Sequence, residues 1–322
     1  MKINISKLAV LWSIVASASA FAAWPEKPIR VIVPFSAGGP PDIVLRLLQD
    51  DVAAQLGQPI VIDNREGAAG NIGVSYAAQE PADGYTLLLA SSGNFTVNQH
   101  LYRSFKIDPL KAFVPIVQLY EVPAVLVAST KVPATDFASF VAHAKQQKGS
   151  INFGSPGYGT TPHISLESLN RTLDMGMVGV TYRGAPPVLQ ALVGGDIQLS
   201  FAVAGGALQF IQTGKIRPLA VASNRRIALL PETPTLRELG WPNLANPTYW
   251  PLVAPTGTPD AILDRINAAM VKALSNRESR KKMEDMGITP GGSTRQEAAD
   301  LLARESQFWL RVLKEQDVKP LD

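Results

Sequence analysis

The chain contains no cysteine and only three histidines among its 322 residues. Without cysteine, disulfide bonds and thiolate metal sites are excluded, and few nucleophile–base pairs can form. The motifs G-x-S-x-G and H-E-x-x-H, which mark common hydrolases and zinc proteases, are also missing. The sequence therefore predicts neither an enzyme nor a bound metal or cofactor. A pair of carboxylates assembled by folding would leave no such signature and stays open as an enzymatic alternative.

Net charge and long apolar runs are also scarce. The formal charge of +3 is too small for a basic surface that binds nucleic acid or an anionic membrane. One apolar run, residues 8–18, follows a short basic stretch but is too short to span a bilayer. Ala20-Phe21-Ala22 follows it and matches a signal-peptidase site. We predict a signal peptide over residues 1–22 and a mature periplasmic chain from Ala23, with an uncleaved anchor as the alternative.

What the chain does have is a pronounced strand, turn and helix pattern over residues 29–48. Five residues from Ile29 to Val33 are mostly apolar and β-branched, Pro34 stops the run, and small residues follow at 36–39. Apolar residues then recur at helical spacing between Val44 and Leu56. The unpaired N–H groups at such a helix start suit a small anion. Ordinary α/β packing is the alternative, since neither a dinucleotide fingerprint nor a P-loop is present.

Strands and helices alternate twice, over residues 29–95 and 122–223, which predicts two parallel sheets. Ligands of such sheets bind beyond the carboxyl ends of the strands, where small-residue loops stand at 36–39, 91–94 and 154–161. About 300 residues exceed what one core usually supports. We predict one domain over residues 23–122 plus 250–322, which includes a long helix at 296–316, and an inserted domain over 123–249.

These motifs together resemble a known family, the Bug-type extracytoplasmic receptors of tripartite tricarboxylate transporters. The resemblance rests on PIRVIVPFSAGGPPDIVLR, DGYTLLLASSGNFTVNQHLY, FGSPGYGTTPHISLE and VTYRGAPPVLQALVGGDIQLSFA. It implies an α/β fold of the type II periplasmic-binding-protein class, with two Rossmann-like lobes and a ligand cleft between them. It also implies a monomer that delivers a small carboxylate, a di- or tricarboxylate or an aromatic acid, to membrane permease subunits. A periplasmic sensor that presents the carboxylate to a signalling partner is the alternative.

The resemblance implies that backbone N–H groups of the first loop and the Gly-Ser-rich loop of the second domain hold one carboxylate. The ligand-binding residues expected on this basis are Phe35, Ser36, Ala37, Gly38, Gly39, Ser91, Ser92, Asn94, Asn98, Ser155, Tyr158, Gly159, Thr160, Thr161, Tyr182, Gly184, Phe201 and Ala202. For the aromatic residues among them, core packing is the alternative.

Three further candidates have structural alternatives. Arg183 either binds a distal carboxylate or makes structural contacts, and His163 either donates to the ligand or only begins a helix. Asp42 either lies at the site or stabilises its helix N-terminus, where it would repel an anion. The chain departs from many members of the family at Ala69, a minor change from Gly, and at Ala202, where an Asp is common. The missing acid argues against an amino-acid ligand.

Overall fold

The computed structural model describes residues 24–158, 160–244, 247–315 and 320, and these residues form two β-sheets flanked by helices. The strands are β1 (Ile29–Val33), β2 (Ile60–Asn64), β3 (Thr86–Leu89), β4 (Phe113–Val122), β5 (Ala124–Ser129), β6 (Asn152–Ser155), β7 (Val178–Thr181), β8 (Leu199–Val203), β9 (Ile216–Ala222), β10 (Thr248–Pro255) and β11 (Thr289–Pro290). The helices are α1 (Pro40–Leu56), α2 (Asn71–Ala77), α3 (Ser92–Thr96), α4 (Asn98–Leu101), α5 (Pro109–Ala112), α6 (Phe137–Gln146), α7 (Thr161–Thr172), α8 (Ala185–Gly194), α9 (Ala204–Gln212), α10 (Asp260–Leu274), α11 (Arg277–Asp285) and α12 (Arg295–Glu315). The predicted opening strand, turn and helix are confirmed.

Lobe 1 is built on the six-stranded sheet, in the order β11-β4-β10-β3-β1-β2. Strand β1 lies inside this sheet and pairs in parallel with both β2 and β3. Val31 and Val33 pack in the same apolar cluster as α1, whereas Ile32 packs in the cluster of α2 on the opposite face. Because both faces of the strand are buried, its sequence is an apolar run without alternation.

Lobe 2 is built on the five-stranded sheet, in the order β7-β6-β8-β5-β9. Strand β6 is parallel to β7 and β8, but β5 is antiparallel to β8 and β9. In lobe 1, β10 is likewise antiparallel to β3 and β4, and β11 is antiparallel to β4. The parallel pairing expected over residues 29–95 is confirmed, whereas the parallel sheet expected over 122–223 was wrong because β5 runs antiparallel to its neighbours. Strands β5 and β10 are the first that the chain forms after crossing between lobes, and they run against their neighbours.

The chain crosses between the lobes at two places. Strand β4 ends at Val122 and β5 begins at Ala124, so Pro123 alone separates them. The return from β9 to β10 takes residues 223–247. Since β4 is parallel to β3 and Ala124 of β5 pairs with Val203 of β8, the crossing lies at the carboxyl-end edges of both sheets. These edges therefore face each other, and the exact domain boundaries stay a prediction.

Candidate functional site

Three loops of lobe 1 lie side by side because they follow adjacent parallel strands. The sheet order β3-β1-β2 places the loop after β1 between the loops that follow its two neighbours. The chain leaves β1 towards β2 and then crosses back to β3, so the strand order reverses beside β1. This reversal is where ligands of open α/β sheets usually bind. The structure thus brings the predicted segments 35–39 and 91–94 to one edge.

The loop after β1 uses part of its hydrogen-bonding capacity internally. Gly38 has a φ of +79°, in the left-handed region, and its N–H donates to Oδ2 of Asp42 at 2.9 Å. The N–H of Gly39 donates to the carbonyl of Ser36 at 3.3 Å. The N–H groups of Ser36 and Ala37 have no hydrogen-bond partner among the described residues, and both residues are exposed. Two of the four predicted anion donors therefore remain accessible.

Asp42 stabilises this loop. Its side chain is buried and accepts hydrogen bonds from Nε and Nη2 of Arg46, at 2.9 and 3.0 Å, as well as from Gly38. The bond from the Arg46 guanidinium, more than any other contact, holds the pKa of Asp42 below its ordinary value. Because this ionised carboxylate is already bound to its own loop and helix, the structure favours a stabilising role for Asp42 over contact with a ligand.

The loop after β2 is the part of the site that sequence reasoning missed. Oγ of Ser36 donates a hydrogen bond to Oε2 of Glu66. The next four residues all have positive φ, with +125° at Gly67, +46° at Ala68, +53° at Ala69 and +91° at Gly70. A run of left-handed backbone that includes two alanines is strained. The two glycines at its ends were the available signal for this turn.

Two asparagines predicted to bind ligand hold this strained loop. Nδ2 of Asn94 donates to the carbonyl of Ala69 at 2.8 Å, and Nδ2 of Asn98 donates to the same carbonyl at 3.2 Å. Oδ1 of Asn94 also accepts from the N–H and Oγ of Ser91, at 3.2 and 2.7 Å. Both amides are buried. Asn94, Asn98 and Ser91 therefore belong to the frame of the site, because their polar atoms bind protein groups.

In lobe 2, the loop after β6 leads into α7. Thr160 is the N-cap of α7, since its Oγ1 accepts from the N–H of His163 at 3.4 Å and donates to the carbonyl of Gly157 at 2.8 Å. The loop after β7 is tied to the same segment, because the N–H of Tyr182 donates to Ser155 at 2.9 Å and that of Gly184 donates to Pro156 at 3.1 Å. The predicted residue Gly159 lies outside the described residues.

The predicted aromatic walls divide into core and surface. Phe201 is buried in the core of lobe 2, and Ala202 beside it is half-buried against a second cluster. Phe35 is half-buried and packs edge-on against Trp250, with ring centroids 5.4 Å apart. Tyr158 is 47% exposed. Of these aromatic rings, Tyr158 therefore presents the largest surface to a ligand.

The two remaining candidates of lobe 2 lie in different surroundings. His163 is buried, and its ring packs against Tyr158 with centroids 4.7 Å apart. Burial lowers the pKa of His163, so the ring is neutral near pH 7. Arg183 is exposed between β7 and α8. Its guanidinium is thus accessible to a carboxylate, whereas His163 is engaged in packing.

The helix starts of the two lobes face each other across the interface. A methyl group built on Gly93, in α3 of lobe 1, would lie 3.4 Å from Oγ1 of Thr161, the first residue of α7 in lobe 2. Near the return crossing, the N–H of Tyr249 donates to Oγ of Ser92 at 3.4 Å. The predicted loops at 91–94 and 154–161 thus approach each other at the interface.

Neither a membrane span nor a metal cluster is found within the described ranges. No helix there is both long and apolar enough to cross a bilayer. No group of three His, Asp or Glu side chains in that part of the chain could hold a metal ion.

Comparison with known proteins yields consistent matches. The family model described as "Tripartite tricarboxylate transporter family receptor" matches residues 44–318. Protein BugT of Bordetella pertussis is 31% identical over 323 residues, covering 98% of this chain and 99% of that protein. The structure of R. palustris Rpa4515 with adipate has a TM-score of 0.78 and 32% identity, covering 92% of this chain and all of that one. MatC of Rhodopseudomonas palustris with bound malate has a TM-score of 0.73 and 31% identity, covering 90% of this chain and 100% of that one.

Proposed function

Since the chain belongs to the tripartite tricarboxylate transporter receptor family, we propose that it captures a small organic carboxylate between its lobes and delivers it to the membrane subunits of such a transporter. The family consists of Bug-type solute-binding receptors with the two-lobed periplasmic-binding fold, and these are not enzymes. Export with cleavage after Ala22 is part of the proposal. A mass spectrum of the intact exported protein that matches a chain starting at Ala23 would support it.

The observation that carries this proposal is the approach of the 91–94 junction of lobe 1 to the start of α7 in lobe 2, beside the adjacent 36–39 junction. In lobe 1, the N–H groups of Ser36 and Ala37 are exposed and without partners among the described residues. In lobe 2, Thr161 begins α7 and lies close to Gly93. Helix starts carry partial positive charge, and charge-assisted hydrogen bonds to a carboxylate are among the stronger ones in proteins. A single carboxylate between the junctions would link both lobes.

The distal end of the ligand is proposed to lie near Tyr158 and Arg183, where one ring and one guanidinium are exposed. An Arg fork suits a second carboxylate, and Ala202 offers no acid for an amino group. Two related structures contain adipate and malate. These features favour a dicarboxylate of short to medium length over an amino acid.

A thermal-shift screen of mono-, di- and tricarboxylates, aromatic acids and amino acids would test the ligand class, because tight binding to the native state raises the melting temperature. We expect the largest rise with a dicarboxylate. A rise with amino acids alone, or with none of these compounds, would contradict the proposal.

A matched pair of threonines in α7 would test the site itself. Thr161→Val removes the hydroxyl that faces lobe 1, and we expect the dissociation constant of the best ligand to rise roughly tenfold, as for one lost hydrogen bond to a charged group. Thr172→Val at the other end of the same helix is the control and should leave calorimetric binding unchanged. Equal affinities for Thr161→Val and the unmodified protein would remove this helix start from the site.

Transport would be tested with the ligand that the screen identifies. Deleting the receptor should abolish uptake of the labelled carboxylate, and the full chain should restore it. If uptake persists without the receptor, the protein binds the carboxylate but does not deliver it to the permease.

A further inference from the structure

The lobes share an apolar cluster next to the polar loops. Its six buried side chains are Val97, Leu101, Ile164, Trp309, Val312 and Leu313. Tyr102 and Phe308 pack against its margin. Ile164 comes from α7 of lobe 2 and is fully buried, whereas the other five residues belong to the α3–α4 segment and to α12. One aliphatic side chain of lobe 2 thus fills a pocket made by elements outside that lobe.

Helix α12 is anchored to lobe 1. At its start, the guanidinium of Arg295 binds Asp260 and Asp264 of α10, at 2.7 and 2.8 Å. The helix then packs along β4 and α3, and its 21 residues are continuous. Trp309, near its far end, donates from Nε1 to Oε2 of Glu305 at 3.0 Å. The wall of the apolar pocket is therefore part of a continuous helix that is bound to lobe 1 at its start and reaches α7 at its far end.

Ile164 is directly connected to the proposed ligand loop. It lies in the first turn of α7, and its N–H donates to the carbonyl of the N-cap Thr160 at 3.0 Å. Val97, on the opposite side of the cluster, follows the α3 segment that contains Gly93. The contact that buries Ile164 therefore forms between the same two segments that are proposed to grip the ligand, but it is apolar and made entirely by protein.

We propose that Ile164 is a clasp residue, which enters the apolar pocket when the lobes close and raises ligand affinity without touching the ligand. The inference rests on the proposed function, because a ligand held by both lobes requires them to close about their crossings. Burying the side chain favours the closed form in the absence of ligand. A ligand that binds only the closed form then binds in proportion to the closed population. The clasp thus sets affinity while the polar loops set which ligand is accepted.

Distance measurements on the ligand-free protein would test the clasp independently of ligand binding. The native chain has no cysteine, so Ala54→Cys on α1 and Gln190→Cys on α8, both at exposed positions, would place one spin label on each lobe. We expect Ile164→Ala to shift the distance distribution towards greater separation. Ile164→Val, which removes one methyl group and is less prone to misfolding, should shift it in the same direction to a smaller extent.

Leu166→Ala is the matched control, because Leu166 lies on the same helix and is fully buried in the core of lobe 2. It should lower the melting temperature but leave the distance distribution unchanged. With adipate as the probe, Ile164→Ala should bind roughly tenfold more weakly and Leu166→Ala as tightly as the parent. An unchanged distribution in both Ile164 variants, or equal opening in the Leu166 variant, would overturn the clasp. If neither adipate nor any other carboxylate of the screen binds the parent, the proposed function is overturned while the distances still decide the clasp.

Discussion

Glu305 offers the most specific prediction, because this carboxyl is buried and no salt-bridge partner contacts it among the residues that the structure describes. The side chain is 6% exposed and accepts one hydrogen bond, from Nε1 of Trp309 at 3.0 Å. Burial raises the pKa of Glu305 from 4.5 to about 7, and the Trp309 bond and the nearby Arg304 only partly oppose this rise. In the folded protein the carboxyl is therefore protonated under mildly acidic conditions.

The sign of the effect on stability follows from proton binding. Between the unfolded and folded pKa values of Glu305, 4.5 and about 7, the folded state holds a proton that the unfolded state has released. Stability must then fall as the pH rises through this window and level off above it. At about 1.4 kcal/mol per pH unit of difference, the loss from this one group amounts to roughly 3 kcal/mol.

Glu305→Gln should remove this dependence, because the amide cannot ionise and its oxygen can still accept the Trp309 bond. We expect the variant to match the parent near pH 4.5 and to exceed it by roughly 3 kcal/mol near pH 8.5. Urea unfolding of both proteins at a series of pH values would measure this difference, and the contributions of the other titrating groups cancel because both proteins contain them. Parallel stability curves for the two proteins would refute the assignment of the raised pKa to Glu305.

Three further predictions concern the frame and the walls of the site. Asn94→Ala leaves the strained loop without one of its amide donors and should lower the free energy of unfolding by about 1–3 kcal/mol. Ala69→Gly should raise the free energy of unfolding by ~1 kcal/mol, because glycine accepts positive φ. Denaturant unfolding of the two variants should therefore show shifts in opposite directions. The lowered pKa of Asp42 means that its stabilising effect is complete above its ordinary value of 3.8 and is lost as the pH falls further. Asp42→Asn should therefore be less stable than the parent at neutral pH, and the difference should shrink in acid-unfolding curves. Phe201→Ala should lower the free energy of unfolding by about 3–5 kcal/mol, whereas Tyr158→Ala should change it little. Calorimetry should show weaker ligand binding only for Tyr158→Ala. Weaker binding only for Phe201→Ala would mean that Phe201, and not Tyr158, contacts the ligand.

Local patterns were sufficient to predict much of the frame. The apolar run before Pro34 and the helical spacing after it specified β1 and α1, and the C-terminal helix expected at 296–316 is observed at Arg295–Glu315. These features depend on neighbours in the sequence, where hydrophobic periodicity is informative. The direction of β5 was mispredicted, because it depends on how the chain runs after it changes lobes.

The detailed use of the polar residues could not be predicted in the same way. Asn94 reaches the carbonyl of Ala69, 25 positions earlier, and Ser36 reaches Glu66, 30 positions later. Such pairs form between loops that only the sheet brings together, so no local spacing reveals them. The change from Gly to Ala at position 69, relative to many members of the family, was judged minor from the sequence. The φ of Ala69 is +53°, however, and glycine adopts this conformation at a lower energetic cost than alanine.

The single proline between β4 and β5 has a consequence for how the molecule can move. One crossing consists of Pro123 alone, whereas most of the return between β9 and β10 packs on lobe 2, through Ile227, Leu236 and Leu244. A tether of one residue permits rotation but almost no translation, so Pro123 is expected to act as the pivot. Fluorophores intended to report ligand uptake would then respond most strongly when attached far from Pro123, where a given rotation produces the widest arc.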